Sequence, residues 1–476
     1  MAHPAPAALG RGVNPLSRFE IVALGAMLAF LGVAILTGGG SRPDIQSHVI
    51  LRPLSVLAGA GACLFLSRGM IREIRMPLIL LGALAALMLI QLIPLPPSIW
   101  TSLPGRGLYA EGAAVMGIEQ PWRPITLSPA RTWNSFVSLL PPAAALLLFA
   151  LLSHRGRDRI LTALLILLGA SAALGLAQVA GPPGGPLYLY AVTNEASAVG
   201  FFSNRNHQAL MLACLFPMLA AYALLPAASG ERRPHRLWIA GAAAITLIPF
   251  VLATGSRSGA LLSLVGLVFA GLLFLTAPKR GGPRASRGRR ALIWGISGTA
   301  IAFMVAMTLF FSRADSLYRI ASVELAGDLR VRLLQPLLDM ISSSFPVGIG
   351  FGAFDPVFRA IEPDALLRRS YANNAHNDLL QLVLEGGLPA VLLLVALLGW
   401  LARHSYRIWF RERPEPPILL ARLGSLVSAM ILLGSVADYP LRTPFVMIVF
   451  AISLAWLGGG RSRLPAPPPR DEVSAR

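Results

Sequence analysis

The chain has a single lysine, Lys279, and only two cysteines, Cys63 and Cys214, both inside apolar runs. Two such cysteines read as small apolar side chains and support neither a disulfide framework nor a metal site. Aspartate and glutamate together number 22, and charged residues make up 13% of the 476; a soluble domain carries about 25%. No Gly-x4-Gly-Lys-Ser/Thr phosphate loop, His-Glu-x-x-His zinc helix or Cys-x-x-Cys pair occurs. Nor does any Asp-x-Asp, the pairing expected where a divalent metal holds a nucleotide sugar. A sugar-transfer reading of this chain must therefore use a metal-free, non-nucleotide donor, and no cofactor is expected.

What is abundant is apolar length. Hydrophobic residues make up 55% of the chain, and they fall into runs of roughly 18 to 24, enough to cross a hydrocarbon core about 30 Å thick. The runs are approximately 20–38, 49–67, 77–95, 136–153, 160–180, 208–227, 237–253, 258–277, 291–311, 379–402, 417–437 and 443–459. The expected fold is all-α, a polytopic integral membrane protein of about twelve transmembrane helices. The seventh and eighth runs are the least separated, parted only around Gly255.

The net charge of +19 would suit nucleic acid, but its distribution argues for topology instead. With a cytoplasmic N-terminus, 25 of the 41 Lys and Arg residues fall in cytoplasmic segments. That asymmetry follows the positive-inside rule and puts both termini inside. The basic patch at 279–290 is then a topology determinant touching anionic lipid, and no nucleic-acid partner is expected. The N-terminus lacks a cleavable signal pattern, so the first span is expected to stay.

This organisation divides the chain into spans one to nine (1–312), a large periplasmic loop with short helices (313–378), spans ten to twelve (379–460) and a disordered, Pro-rich cytoplasmic tail (461–476). The loop, of roughly 65 residues, is too long to be a connector. Within it, Leu329, Leu333, Leu337, Met340 and Ile341 form a helical stripe. A glycine-rich turn follows at Gly348, Gly350 and Gly352, and the loop closes on Asn373-Asn374-Ala375-His376-Asn377-Asp378.

The external polar residues gather at one membrane face. Asn204, Arg205 and His207 stand at the mouth of span six and Arg257 at that of span eight. Arg330 and Arg332 open the loop helix. Asn374, His376 and Asn377 precede span ten, Glu385 lies two turns into it, and Asp438 and Arg442 flank span twelve. Converging arginines suit a phosphate, because a guanidinium forks onto its oxygens and stays charged. Histidine exchanges a proton near neutral pH. Each residue also has a plainer role. Arginines at helix ends commonly snorkel as interfacial anchors. Either asparagine before span ten could be its N-cap. Asp438 and Arg442 are most simply a short-loop ion pair, and one of Arg330 and Arg332 is expected to pair with Asp328 or another loop acid.

Gly348-Ile-Gly-Phe-Gly-Ala-Phe354, Asn374-Ala-His-Asn-Asp378 and Glu385-Gly-Gly387 resemble the C-terminal signature of the O-antigen ligase and O-antigen polymerase superfamily of bacterial membrane glycosyltransferases. Gly255-Ser-Arg-Ser-Gly259 with Leu261 resembles its arginine-x3-leucine element, and Phe202-Ser-Asn-Arg-Asn-His207 its Asn-x-Asn-His stretch. The likeness spans roughly residues 130–460; Ala390 stands where ligases often carry glycine. The resemblance implies an inner-membrane, metal-independent, inverting glycosyltransferase of the GT-C type. Its donor would be an oligosaccharide on undecaprenyl diphosphate. Its acceptor would be lipid A–core of lipopolysaccharide, a second lipid-linked glycan such as an exopolysaccharide precursor, or a protein hydroxyl. Arg257 and Arg332, then Arg205 and Arg330, would hold the diphosphate, and His376 would serve the acceptor. Two competing classes remain: a transporter or flippase for lipid-linked glycan, which would place charges at the midplane and show related halves, and a non-catalytic partner in a glycan-export complex.

Overall fold

A computed structural model describes residues 17–225, 234–277, 329–367, 372–412 and 416–460, with isolated positions between 295 and 305. Apart from those positions the expected ninth span lies outside the described residues, as do the basic patch at 279–290, Asp328 and the tail from 461. The helices are α1 (Arg18–Thr37), α2 (His48–Cys63), α3 (Arg68–Gln91), the short α4 (Pro97–Trp100) and α5 (Gly107–Val115), α6 (Pro129–Val137), α7 (Leu140–Ala150), α8 (His154–Ala180), α9 (Arg205–Leu224), α10 (Pro234–Ala253) and α11 (Arg257–Thr276). They continue with α12 (Leu329–Ser344), α13 (Phe354–Ile361), α14 (Asp378–Tyr406), α15 (Pro416–Ala437) and α16 (Pro444–Gly458). One two-residue ribbon pairs Pro94 with Pro124 and Leu95 with Arg123.

Among the described residues, nine helices are long and apolar enough to cross a membrane, and the apolar α2 and α16 are shorter. The protein is an all-α, polytopic membrane protein. Such spans form because hydrocarbon offers backbone amides no other partner. Polar residues at the ends fix where each begins. Ser17 and Glu20 close a capping box on α1. Asn204, Ser256 and Asn377 cap α9, α11 and α14 through their side chains.

α9 is the central strut, with 89% of its apolar window buried against 17% for α3. It is flanked by α8, α10, α11 and α15. The ends of α1, α3, α8, α10 and α15 and the starts of α2, α6, α9, α11, α14 and α16 share one mouth, as loop contacts show: Phe445 N–H donates to Gly38 O at 2.9 Å and Ser203 N–H to Gly39 O at 3.1 Å.

α14 breaks at Gly387, whose φ of 58° lies in the left-handed region. Pro389 has no N–H to offer Glu385 O, four residues back, so the ladder opens there. The glycine turn repairs it. Gly350 N–H donates to Glu385 O (2.9 Å), Ile349 N–H to Leu384 O (3.0 Å), and Leu388 N–H to Pro346 O (2.8 Å). A Cβ on Gly387 would collide with Pro346 O, and one on Gly350 with Thr126. The buried guanidinium of Arg106, its pKa pushed down to about 10 by burial, holds the turn from outside through Gly348 O at 2.9 Å.

Candidate functional site

Two polar networks meet at the mouth. The first runs across four elements. Ser256 Oγ, at the start of α11, donates to Asn206 Oδ1 on α9 at 2.8 Å. Asn206 Nδ2 donates to Asp438 Oδ2 at 2.6 Å. Asp438 Oδ1 lies 3.4 Å from His376 Nδ1, an ion-pair distance without hydrogen-bond geometry. The imidazole of His376 sits against the ring of Tyr439 with centroids 4.9 Å apart, and His207 approaches the same ring at 5.3 Å. His207 Nδ1 shares a 2.9 Å hydrogen bond with Thr443 Oγ1, while its buried Nε2 has no partner.

His376 has a φ of 52° and a side chain 21% exposed. A non-glycine residue there costs roughly 1–2 kcal/mol. Tertiary contacts hold the turn: Ala375 N–H donates to Gln381 Oε1 (2.9 Å), Asp378 N–H to Asp438 O (3.2 Å) and Leu380 N–H to the cap Asn377 Oδ1 (3.0 Å). Strain held in place this way concentrates at functional sites.

The second network is deeper. Arg442 Nη2 donates to Glu385 Oε2 at 2.9 Å, and its Nε lies 3.5 Å from Asp378 Oδ1. Burial opposes the charge on Arg442, but Glu385 and Asp378 outweigh it and hold the guanidinium above its ordinary pKa. Gln381 Nε2 donates to Glu385 Oε1 (2.9 Å) and Asn374 Oδ1 (3.3 Å). Asp378 Oδ2 accepts from Ser435 Oγ and from Leu441 N–H.

The sequence expectations sort against this geometry. Asp438 and Arg442 are not partners, which corrects the ion pair read from their spacing. The turn Pro440–Arg442 sends the guanidinium to α14, leaving Asp438 to His376 and Asn206. The N-cap of α14 is Asn377, whereas Asn374 serves Gln381. Asn204 caps α9 by accepting from Asn206 N–H at 2.8 Å. Arg205 and Arg257 are both exposed at the rim, and a Cβ on Gly255 would stand 3.6 Å from Arg205 Nη1. Arg332 is half-buried on α12, which packs on α14 through Leu333, Leu337, Met340 and Leu384. The Arg330 side chain lies outside the described residues. Sequence reasoning passed over Gln381, Asp378, Ser256 and Tyr439 as site members. Gln381 gave one usable signal, a polar residue early in an otherwise apolar run. Among the described residues no group of three or more His, Cys, Asp or Glu could hold a metal ion.

These elements build a polytopic membrane protein with a polar, strained, arginine-rimmed mouth. Residues 242–395 match the family model described as O-antigen ligase. This match to part of the chain supports the O-antigen ligase and polymerase superfamily and, in general terms, glycan transfer of the ligase or polymerase type. The matched segment contains Arg257, Arg332, His376, Asn377 and Glu385, and excludes Arg205, His207, Asp438 and Arg442. No curated protein matches the chain.

Proposed function

We propose that the protein transfers or polymerises an undecaprenyl-diphosphate-linked oligosaccharide onto an acceptor hydroxyl at the periplasmic face of the bacterial inner membrane, with both termini in the cytoplasm. The acceptor is a lipid A–core, a second lipid-linked glycan or a protein. The observation that carries this reading is the relay from Ser256 through Asn206 and Asp438 to His376. It ties the imidazole to the start of α11, where Arg257 and, beside it, Arg205 stand exposed.

In this reading the acceptor oxygen attacks the anomeric carbon from the face opposite the diphosphate. The new C–O bond forms as the old one breaks, so the configuration inverts. The diphosphate leaves with the bonding electron pair and the acceptor proton passes to His376. Asp438 orients the imidazole and stabilises the imidazolium that results. Arg257 and Arg205, with Arg332 as a further candidate, meet the growing charge on the leaving group without a metal. Asn204 and Asn377 serve as caps, and His207, Asn374, Glu385 and Arg442 support the walls.

The test is incubation of purified protein with a lipid-diphosphate oligosaccharide and each acceptor class in turn. Chain growth identifies a polymerase, and transfer to lipid A–core a ligase. Arg257→Ala should lower transfer by roughly 10²-fold or more at unchanged expression. Near-normal products from that variant remove Arg257 from the site. Movement of the intact donor across vesicles without any new glycosidic bond would replace transfer by transport.

A further inference from the structure

Beside the Asn374–Gln381 segment lies a cavity of ≈ 380 Å³ to which the transfer reading assigns no occupant. Its lining changes character along its length. At the mouth end α2 presents His48 and Arg52, one turn apart on one face, and α6 presents Arg131 and Asn134 in the same way. Deeper, three helices each supply an apolar pair at the same spacing: Leu84 and Met88 on α3, Leu393 and Leu397 on α14, and Phe450 and Leu454 on α16.

The mouth end is electrostatically incomplete. Arg42 chelates Asp44 and holds that carboxyl below its ordinary pKa. Arg131 reaches Asp355 at 3.4 Å, and Arg442 is held by Glu385 and Asp378. Arg52 differs. It is half-buried, and its partners are the neutral Asn134 Oδ1 at 2.7 Å and His48 Nδ1 at 3.4 Å. Among the described residues no acid pairs with it. His48 is itself 8% exposed, and its Nε2 has no hydrogen-bond partner. A half-buried guanidinium without an acid, beside an imidazole whose Nε2 has no partner, leaves two donors for an anion.

The deep end is apolar and long. From Pro444 to Leu454 α16 advances about 15 Å, at roughly 1.5 Å per residue. That is about half of a hydrocarbon core roughly 30 Å thick, one leaflet deep. A phosphate alone would leave this slot empty, and a neutral hydrocarbon would leave Arg52 without a counter-charge.

We propose that this cavity is a second substrate-lipid site that takes an amphiphile with a phosphate head, its head on Arg52 and His48 and its chain between α3, α14 and α16. Asn374, Asp378 and Gln381 line it whereas His376 and Asp438 do not, so one segment, 374–381, serves the cavity through some side chains and the relay through His376. That the occupant is the acceptor's lipid rests on the transfer reading; that the site binds a phosphate amphiphile does not.

The test is photolabelling of the full-length purified protein, which requires no catalysis. The probes are a diazirine-bearing alkyl phosphate and the matching alkyl alcohol, with crosslinks mapped by mass spectrometry. The phosphate probe should label residues 80–88 and 393–397 about fivefold more than the alcohol. Arg52→Gln should reduce that labelling to the alcohol's level, Arg52→Lys should keep most of it, and Leu84→Trp should exclude both probes. Equal labelling by the two probes, an unchanged ratio in Arg52→Gln, or displacement of the alkyl phosphate by equimolar inorganic phosphate would each overturn the proposal. Should Arg52→Gln fail to elute as the parent does, undiminished labelling in Leu84→Trp decides against it. Loss of transfer in Arg257→Ala together with absent labelling here overturns this site alone, whereas labelling without any transfer overturns the reading of the relay alone.

Discussion

The two networks at the mouth draw on the same residue types and differ in how they are satisfied. In the deeper one Glu385 is 0% exposed, and both of its carboxylate oxygens are taken at 2.9 Å by Arg442 and Gln381. In the outer one the imidazole of His376 is partly exposed, sits on a left-handed backbone, and meets Asp438 only at 3.4 Å. In the deeper network the charges are matched by one another, and its members flank the break in α14. A network left loose at one end, with strain held in by its neighbours, has a group to offer. The difference separates scaffold from chemistry within a single polar cluster, which composition alone would treat as one site.

The sharpest way to break this division is to remove one partner from the closed network. Glu385→Ala should destabilise by about 3–5 kcal/mol, because Arg442 would keep its burial and lose its nearest counter-charge. Thermal unfolding in detergent reads this, and transfer per folded molecule should change little. A variant as stable as the parent but inactive would move Glu385 into the chemistry. The next test reverses the outcome. His376→Gly should lower transfer roughly 10²–10⁴-fold, the span typical of a lost general base. Stability should stay within about 1 kcal/mol, since glycine adopts this φ without the steric cost. Retained transfer would rule out His376 as the base.

Much of this was legible in the sequence, and the reasons are physical. Helix positions follow from run length, because hydrocarbon leaves the backbone no alternative. Thus α9, α11 and α15 lie close to the expected 208–227, 258–277 and 417–437. The partner of α14's break was half legible. Gly386-Gly387-Leu388-Pro389 announces a distortion, but only the fold reveals that Gly348, Gly350 and Arg106 repair it. Asp438 and Arg442 were misread as partners because sequence spacing reports local neighbours. Which helix a guanidinium reaches from a short turn depends on tertiary packing, here against Glu385, 57 residues away, and the contact of Asn206 with Asp438, 232 residues apart, belongs to the same class. The cavity beside the 374–381 segment was illegible for that reason too: His48, Arg52, Asn134 and Leu393 acquire meaning only once α2, α6 and α14 adjoin.

The finest division falls within Ser256, which belongs to the fold and to the relay at once. Its Oγ accepts from Gly259 N–H at 3.0 Å as the cap of α11, and donates to Asn206 Oδ1 at 2.8 Å as the outer link of the relay. Ser256→Ala removes both and should cost about 1 kcal/mol of stability. Ser256→Asp separates them. A carboxylate caps a helix as well as a hydroxyl does, so stability should return toward the parent value. A carboxylate has no proton to give Asn206 Oδ1, so that link stays broken. If the amide of Asn206 holds Asp438, and through it His376, then the aspartate variant should be as stable as the parent and transfer several-fold more slowly. Transfer recovering together with stability would mean that the relay ends at Asn206 and that Ser256 matters only as a cap.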